Sequence, residues 1–233
     1  MNAGRTARDR ARAELTQEIK DAARRQLAAE GAERLSLRAV SRELGMVSSA
    51  LYRYFPSRDD LLTALIIDAY DALGVEAEKV GASGQDPRAA WIAVCHAVRD
   101  WAKSHQHEYT LIYGSPIAGY QAPQTTIQPA SRVAIMLLGL LAKADGEGVL
   151  DPGEARECSG VLAEQVKTLE ELAPGVPVKV LTRTMVAWTQ LFGMISFELY
   201  GQLVGTMDPA DAFFADTVEQ MADFVGLREP AVN

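Results

Sequence analysis

Apolar residues recur at helical spacing along most of the chain, and no stretch alternates apolar and polar positions as a strand would. The first stripe is Leu15, Ile19, Ala22, Ala23 and Leu27, and it stops at Gly31. A shorter one buries Leu37, Val40 and Leu44 between Ser36, a favourable N-cap, and Gly45. A third holds Leu51 and Phe55, one turn apart, and must end before Pro56. Ser57-Arg58-Asp59-Asp60 then reads as a capping box, with Asp60 reaching back from the third helical position. It opens a long apolar helix through Leu61, Leu62, Leu65, Ile66, Ala69 and Leu73.

Beyond a break at 81–87, periodicity resumes over about 88–113 with Trp91, Val94, Val98 and Trp101. Residues 114–129 are rich in Pro, Gly and Thr and cannot sustain a helix; so long a loop is usually functional or mobile. Further helices are predicted at roughly 130–144, 152–172, 177–204 and 208–226, the last opened by Asp208-Pro209. The pattern predicts an all-α fold.

With 233 residues, 48% of them hydrophobic, the chain can bury a sizeable core in one large domain or two modest ones. No uninterrupted apolar run reaches the length of a membrane span, and the basic N-terminus has no apolar stretch behind it to make a secretory signal. Cys95 and Cys158 are far apart and form neither a disulfide framework nor a zinc motif. These features predict a cytoplasmic protein with no membrane partner.

Charge changes the picture once it is counted by region. The net charge is −8, yet residues 1–58 carry 12 Lys+Arg against 7 Asp+Glu, and residues 59–233 carry 11 against 24. A basic head on an acidic body approaches a polyanion head first. Charge alone does not separate that reading from a solvated basic helix without a partner.

The helical pattern does more. Short helices joined by the tight Leu44-Gly45-Met46 turn make a helix-turn-helix, with Gly supplying the left-handed dihedral. Leu37, Val40, Leu44, Leu51 and Phe55 form its core, which leaves Ser48, Ser49, Ala50, Tyr52, Arg53 and Tyr54 outside. Small residues near the start of the third helix let its backbone sink into a major groove. Arg53 can donate a fork of hydrogen bonds to guanine, and the tyrosine hydroxyls can reach phosphate oxygens. An N-terminal arm with Arg5, Arg8, Arg10 and Arg12 is either a backbone or minor-groove ligand or a free tail.

Residues 35–65, LSLRAVSRELGMVSSALYRYFPSRDDLLTAL, resemble the DNA-binding signature of TetR-family regulators. The likeness rests on the Leu-Gly-Met turn, the Leu51-Tyr52-Arg53-Tyr54-Phe55 block and Ser57-Arg58-Asp59-Asp60-Leu61-Leu62. It implies base-edge contacts from Arg38, Ser48, Ser49, Ala50 and Arg53, and phosphate contacts from Ser36, Tyr52, Tyr54 and Arg58. Val47 departs from the family, which has Ser or Thr there as the helix cap; Ser48 or Ser49 is the alternative cap. Residues 187–193, AWTQLFG, are similar to a C-terminal subgroup named for a Trp-His-Gly pattern, with Phe192 in place of the His.

The resemblance implies a basic arm and three-helix DNA-binding domain over 1–60, followed by a larger helical effector-binding and dimerisation domain over 61–233. It implies a homodimer on a palindromic operator in double-stranded DNA, joined through helices in about 177–226. It also implies release by a small-molecule effector, apolar or aromatic if Trp91, Trp101, Tyr109, Tyr113, Met136, Trp188 and Phe192 line the pocket; aromatics and Met at helical spacing are more often plain core. Activation, or architectural binding without an effector, is the alternative.

Enzymatic motifs are missing: there is no phosphate loop, no GxSxG elbow, no HExxH helix and no Rossmann fingerprint. Cys95 and His96 point about 100° apart on a helix, and His105 and His107 face different directions. No catalytic residue, metal ligand or cofactor is therefore expected.

Overall fold

The helical periodicity closes into ten α-helices in the computed structural model, which describes residues 3–154 and 158–228. They are α1 (Ala3–Glu30), α2 (Leu37–Glu43), α3 (Ser48–Leu51), α4 (Arg58–Gly81), α5 (Pro87–Ser104), α6 (Gln106–Tyr113), α7 (Ile127–Gly146), α8 (Val161–Leu172), α9 (Val178–Leu199) and α10 (Asp211–Val225). Single 3-10 turns lie at Ala32–Arg34 and Gln124–Thr126. Among the described residues the one β-type pairing is an isolated bridge between Leu150 and Leu227.

Packing divides the chain into two units. The first takes the chain to Tyr70 together with His105–Pro129; the second takes Asp71–Ser104 and the chain from Ala130 onward. A single cut near residue 60 does not describe this division, because the first core draws on later residues. Ile19, Ala22, Ala23 and Leu27 of α1 pack with Leu37, Val40, Leu51 and Phe55, and also with Leu61, Leu62, Leu65 and Ile66 of α4 and Leu111 of α6. Ion pairs reinforce the same arrangement: Asp68 receives Lys20 at 2.8 Å and Arg24 at 2.6 Å, and Arg24 lies 3.7 Å from Glu108.

In the second unit Trp91 and Val94 of α5, Leu137 and Leu141 of α7, Leu181 and Leu191 of α9, and Phe214 of α10 are buried. Three arginines bind its helices together. Arg88 pairs with Glu219 and Asp223, and Arg132 joins Asp71 and Glu78 of α4 at 2.7 Å each. Arg99 grips Glu198 with two hydrogen bonds of 2.7 Å and lies 3.0 Å from Asp211. Gly74 is required where Arg132 crosses α4, since a Cβ there would stand 2.6 Å from the Arg132 Nε.

Several boundaries differ from the sequence expectation. The span 88–113 breaks at His105 (φ −128, ψ 48), giving α5 and α6. Residues 152–154 and 158–160 are not helical, and α8 begins only at Val161. Gly153 and Gly160 take positive φ, and the Asp151 N–H donates to the Gly226 carbonyl at 2.9 Å, which ties this segment to the end of α10. α9 stops at Leu199, where Gly201 turns left-handed, and α7 starts earlier than expected, at Ile127. The arginine arm is no free tail: α1 is helical from Ala3, with Arg8, Arg10 and Arg12 exposed, while the Arg5 side chain lies outside the described residues. The capping box is half formed. Ser57 Oγ accepts the Asp60 N–H at 3.1 Å, but the Asp60 carboxylate takes the Ser57 hydroxyl at 2.7 Å rather than a backbone N–H. One span, Gln124–Gly146, is long and apolar enough, by length and composition alone, to cross a membrane. It carries Arg132 in its paired position, as a core helix of the second unit.

Burial alone would raise the pKa of Glu198, but its hydrogen bonds from Arg99 and Lys103 outweigh that and hold it below 4.5. The Arg99 hydrogen bond likewise holds Asp211 below 3.8. A carboxylate held low contributes stability that is complete above its unfolded pKa and is lost as pH falls through the folded one. Glu198→Gln leaves Arg99, whose side chain is 5% exposed, without its principal counter-charge. Urea unfolding should show a loss of about 3 kcal/mol at neutral pH. Between about pH 5 and pH 3 the variant's stability should fall less steeply than that of the parent chain.

Candidate nucleic-acid interface

The connection from α2 to α3 is held at both ends. Gly45 adopts φ 63, the Gly45 N–H donates to Arg42 O at 3.1 Å, and the Met46 N–H donates to Ser41 O at 2.8 Å. Ser41, 1% exposed, donates its hydroxyl to Arg38 O at 3.0 Å, and its Oγ lies 3.1 Å from Ser48 Oγ. That hydroxyl pair latches the first residue of α3 to the middle of α2. Leu51 at 0% and Phe55 at 6% exposure anchor the other side. Although α3 spans only Ser48–Leu51, hydrogen bonds from Tyr54 and Phe55 to Leu51 O, at 2.8 and 3.1 Å, carry the turn onward.

The link from α1 is equally specified. The Gln26 side chain accepts the Ser36 N–H and donates to Arg34 O, each at 3.2 Å, and Arg25 pairs with Glu43 at 2.7 Å. Arg58 donates to the carbonyls of Ala32 and Glu33 at 2.9 and 3.3 Å. Its guanidinium, expected on phosphate, is thus engaged in closing the first unit.

Of the other residues expected at DNA, Arg38, Ser49, Tyr52 and Arg53 are exposed, and Ser36, Ser48, Ala50 and Tyr54 are half-buried. Tyr54 packs against the apolar cluster and carries the Arg12 guanidinium 5.2 Å above its ring. Ser36 precedes α2 in extended conformation (φ −137) without a side-chain cap bond. The alternative caps for α3 are not used: Val47 itself is the N-cap (φ −70, ψ 137), and Ser48 is committed to Ser41. Arg42 was missed. It sits one turn beyond Arg38 on α2 and is exposed, so i,i+4 spacing was the available signal. Between residues 34 and 58 the one acidic residue is Glu43, and Arg25 neutralises it. The outer surface of α2 and α3 is therefore cationic, with Arg38, Arg42 and Arg53 on a stiff support.

The aromatic residues expected to line an effector pocket divide between the two units. In the first, Tyr109 is buried and Tyr113 half-buried; the Tyr113 ring lies 5.2 Å from Tyr109 and 6.0 Å from Tyr70. Burial, with the neighbouring Tyr70 and Tyr109, pushes the Tyr113 hydroxyl well above its ordinary pKa. In the second, Trp91 and Trp101 are buried and Trp188 stacks 4.6 Å from Phe192. The Met136 thioether lies over α4, where a Cβ on Gly81 would meet its sulfur at 2.7 Å. Two hollows of about 270 and 230 Å³ flank His107 in the first unit, and none of the seven residues lines either. Desolvation pushes the buried Cys95 thiol up, and His96 packs 5.3 Å from Phe214.

Residues 19–65 match the family described as bacterial regulatory proteins, tetR family, and residues 91–221 match the tetracyclin repressor-like C-terminal domain. The HTH-type transcriptional regulator Rv1816 of Mycobacterium tuberculosis is 37% identical over 219 residues, covering 89% of this chain and 91% of the relative. Among solved structures, SCO4313, described as a regulatory protein, is 32% identical with a TM-score of 0.75, covering 92% of this chain and 98% of that one. The TetR family transcriptional regulator PfmR of Thermus thermophilus shares the fold at 19% identity and a TM-score of 0.57, covering 91% and 99%. These relatives are regulators rather than enzymes.

Replacing Arg58 by Met should lower stability by about 1 kcal/mol in urea unfolding, since hydrogen bonds to two carbonyls are lost. The dependence of DNA affinity on salt should keep its slope if the guanidinium serves only as framework, and should fall by about one unit if it also holds a phosphate.

Proposed function

This chain belongs to the tetR family of bacterial regulatory proteins, and we propose that it acts as a ligand-responsive repressor that binds a palindromic operator as a homodimer. The observation that carries this reading is the cationic outer surface of α2 and α3, supported by the Ser41–Ser48 latch and the Leu51–Phe55 anchor. On it Arg38 and Arg53 address base edges, and Ser48, Ser49 and Ala50 allow close approach to the groove floor. Ser36 and Tyr52 hold phosphates and set register, joined by Arg42. Tyr54 and Arg58 act as framework.

Dimerisation through α9 is favoured by its exposed surface. Met185, Val186, Phe197 and Tyr200 are 44%, 52%, 56% and 44% exposed, and Gly193, between them, has open space beside it. On α10 Phe224 is 43% exposed, with Asp216, Glu219 and Asp223 exposed as well, so α9 offers the larger number of exposed apolar side chains. Two copies present two reading surfaces to half-sites about 34–36 Å apart. Because operator DNA is the target, the site of action is the cytoplasm.

An apolar or aromatic effector suits the second unit. There the fully buried Trp91 indole N–H has no hydrogen-bond partner among the described residues and offers a donor to an acceptor atom of the ligand. The ligand shifts the DNA-binding equilibrium by its difference in affinity for the two states of the dimer.

Genomic footprinting of the purified protein identifies the operator, and competition then tests specificity. The operator should be preferred over random duplex by roughly 10³-fold or more; equal competition by random DNA contradicts a specific regulator. Arg53→Ala should cost about 1–3 kcal/mol and relax preference at one base position per half-site. Tyr52→Phe should weaken all duplexes alike. Phe197→Glu should convert the dimer to monomer in sedimentation, and with it abolish tight operator binding.

A further inference from the structure

We propose that Val47 reads the 5-methyl group of a thymine in each half-site; the inference rests on operator binding by the α2–α3 surface. Val47 is 69% exposed, the most exposed large apolar side chain described in the first unit. It stands outside that unit's apolar cluster, which takes in its neighbours Leu44, Leu51 and Tyr54. Along the chain on either side of it the exposed side chains are polar or charged apart from the Tyr52 ring: Arg42, Glu43, which Arg25 neutralises, Ser49 and Arg53. At that exposure the isopropyl group contributes little to the protein's own packing.

Its position is nonetheless held firmly. The Val47 carbonyl accepts the Ala50 N–H at 2.9 Å, and the next residue, Ser48, is latched to Ser41. A β-branched side chain on a fixed backbone has few rotamers, so little freedom is lost when the isopropyl group meets a partner. On the floor of the major groove every base edge offers hydrogen-bond donors or acceptors, and thymine adds the single apolar group, its 5-methyl. Elsewhere on that floor an isopropyl group displaces water from a polar edge and gives nothing back. Against thymine it buries a methyl instead. The contact is made by the side chain alone and does not involve the backbone N–H groups of α3.

Burial of one methyl corresponds to about fourfold in affinity per half-site, hence roughly fifteenfold for two symmetric half-sites. The test replaces each thymine pair of the footprinted operator, one symmetric position at a time, by deoxyuridine, which removes the methyl and leaves the pairing edges unchanged. The parent protein should lose roughly fifteenfold at one position. Val47→Ser, which introduces a better cap and so retains the fold, should bind thymine and uracil operators equally at that position. If the parent shows no methyl dependence anywhere, or if Val47→Ser keeps the same dependence, the assignment to Val47 is overturned while operator binding stands. If the parent does not distinguish operator from random duplex, the regulator reading fails first and this inference with it.

Discussion

A four-residue helix does not persist by its own hydrogen bonds, since fixing the first turn costs more than one or two bonds return. Whatever this protein does with DNA therefore depends on the groups that hold α3 in place. The Ser41–Ser48 hydroxyl pair and the left-handed Gly45 fix its start, and buried Leu51 and Phe55 fix its inner side. Gln26 and Arg58 then tie the approach to α2 and the departure into α4 back to the same core. What remains outside this scaffold is a short surface of arginines, serines, Val47 and Tyr52 whose geometry is set before any DNA arrives. Preorganisation of that kind reduces the ordering cost that a flexible reader pays on binding.

The second unit solves a different problem with different chemistry. Its helices are joined by arginines that each serve two carboxylates, and these pairs are partly shielded from water. Such clusters contribute little net stability compared with apolar packing, but they are costly to leave half-made. They specify which helix neighbours which. The first unit is held together mainly by apolar contacts and leaves Arg38 and Arg42 of α2, and Arg53 just after α3, outward; the second folds several of its arginines inward.

Much of this was legible in the residues. The stripes of Leu, Ile and Ala placed most helices, and the Leu44-Gly45-Met46 turn placed the helix-turn-helix. What spacing did not reveal were contacts across the fold and local breaks within a continuing pattern. Trp101 and Tyr109 keep helical register across His105, so the break there is visible only in the backbone. Arg58 looks like a phosphate ligand in sequence because residues 32 and 33, whose carbonyls it holds, are distant along the chain. Val47 read as a poor cap, and its exposure gave it a different meaning. The acidic segment before α8 carries helical spacing, yet its described part is not helical, with left-handed Gly153 and Gly160 and a tie to the end of α10.

The central claim is that the outer surface of α2 and α3, and not another exposed surface of the first unit, meets the operator. Hydroxyl-radical labelling of side chains, read by mass spectrometry with and without operator duplex, tests it directly. Tyr52, 43% exposed, should lose several-fold in reactivity on DNA, while Ile127, 63% exposed in the same unit, should keep its own. Undiminished labelling at Tyr52 in the saturated complex would contradict the account.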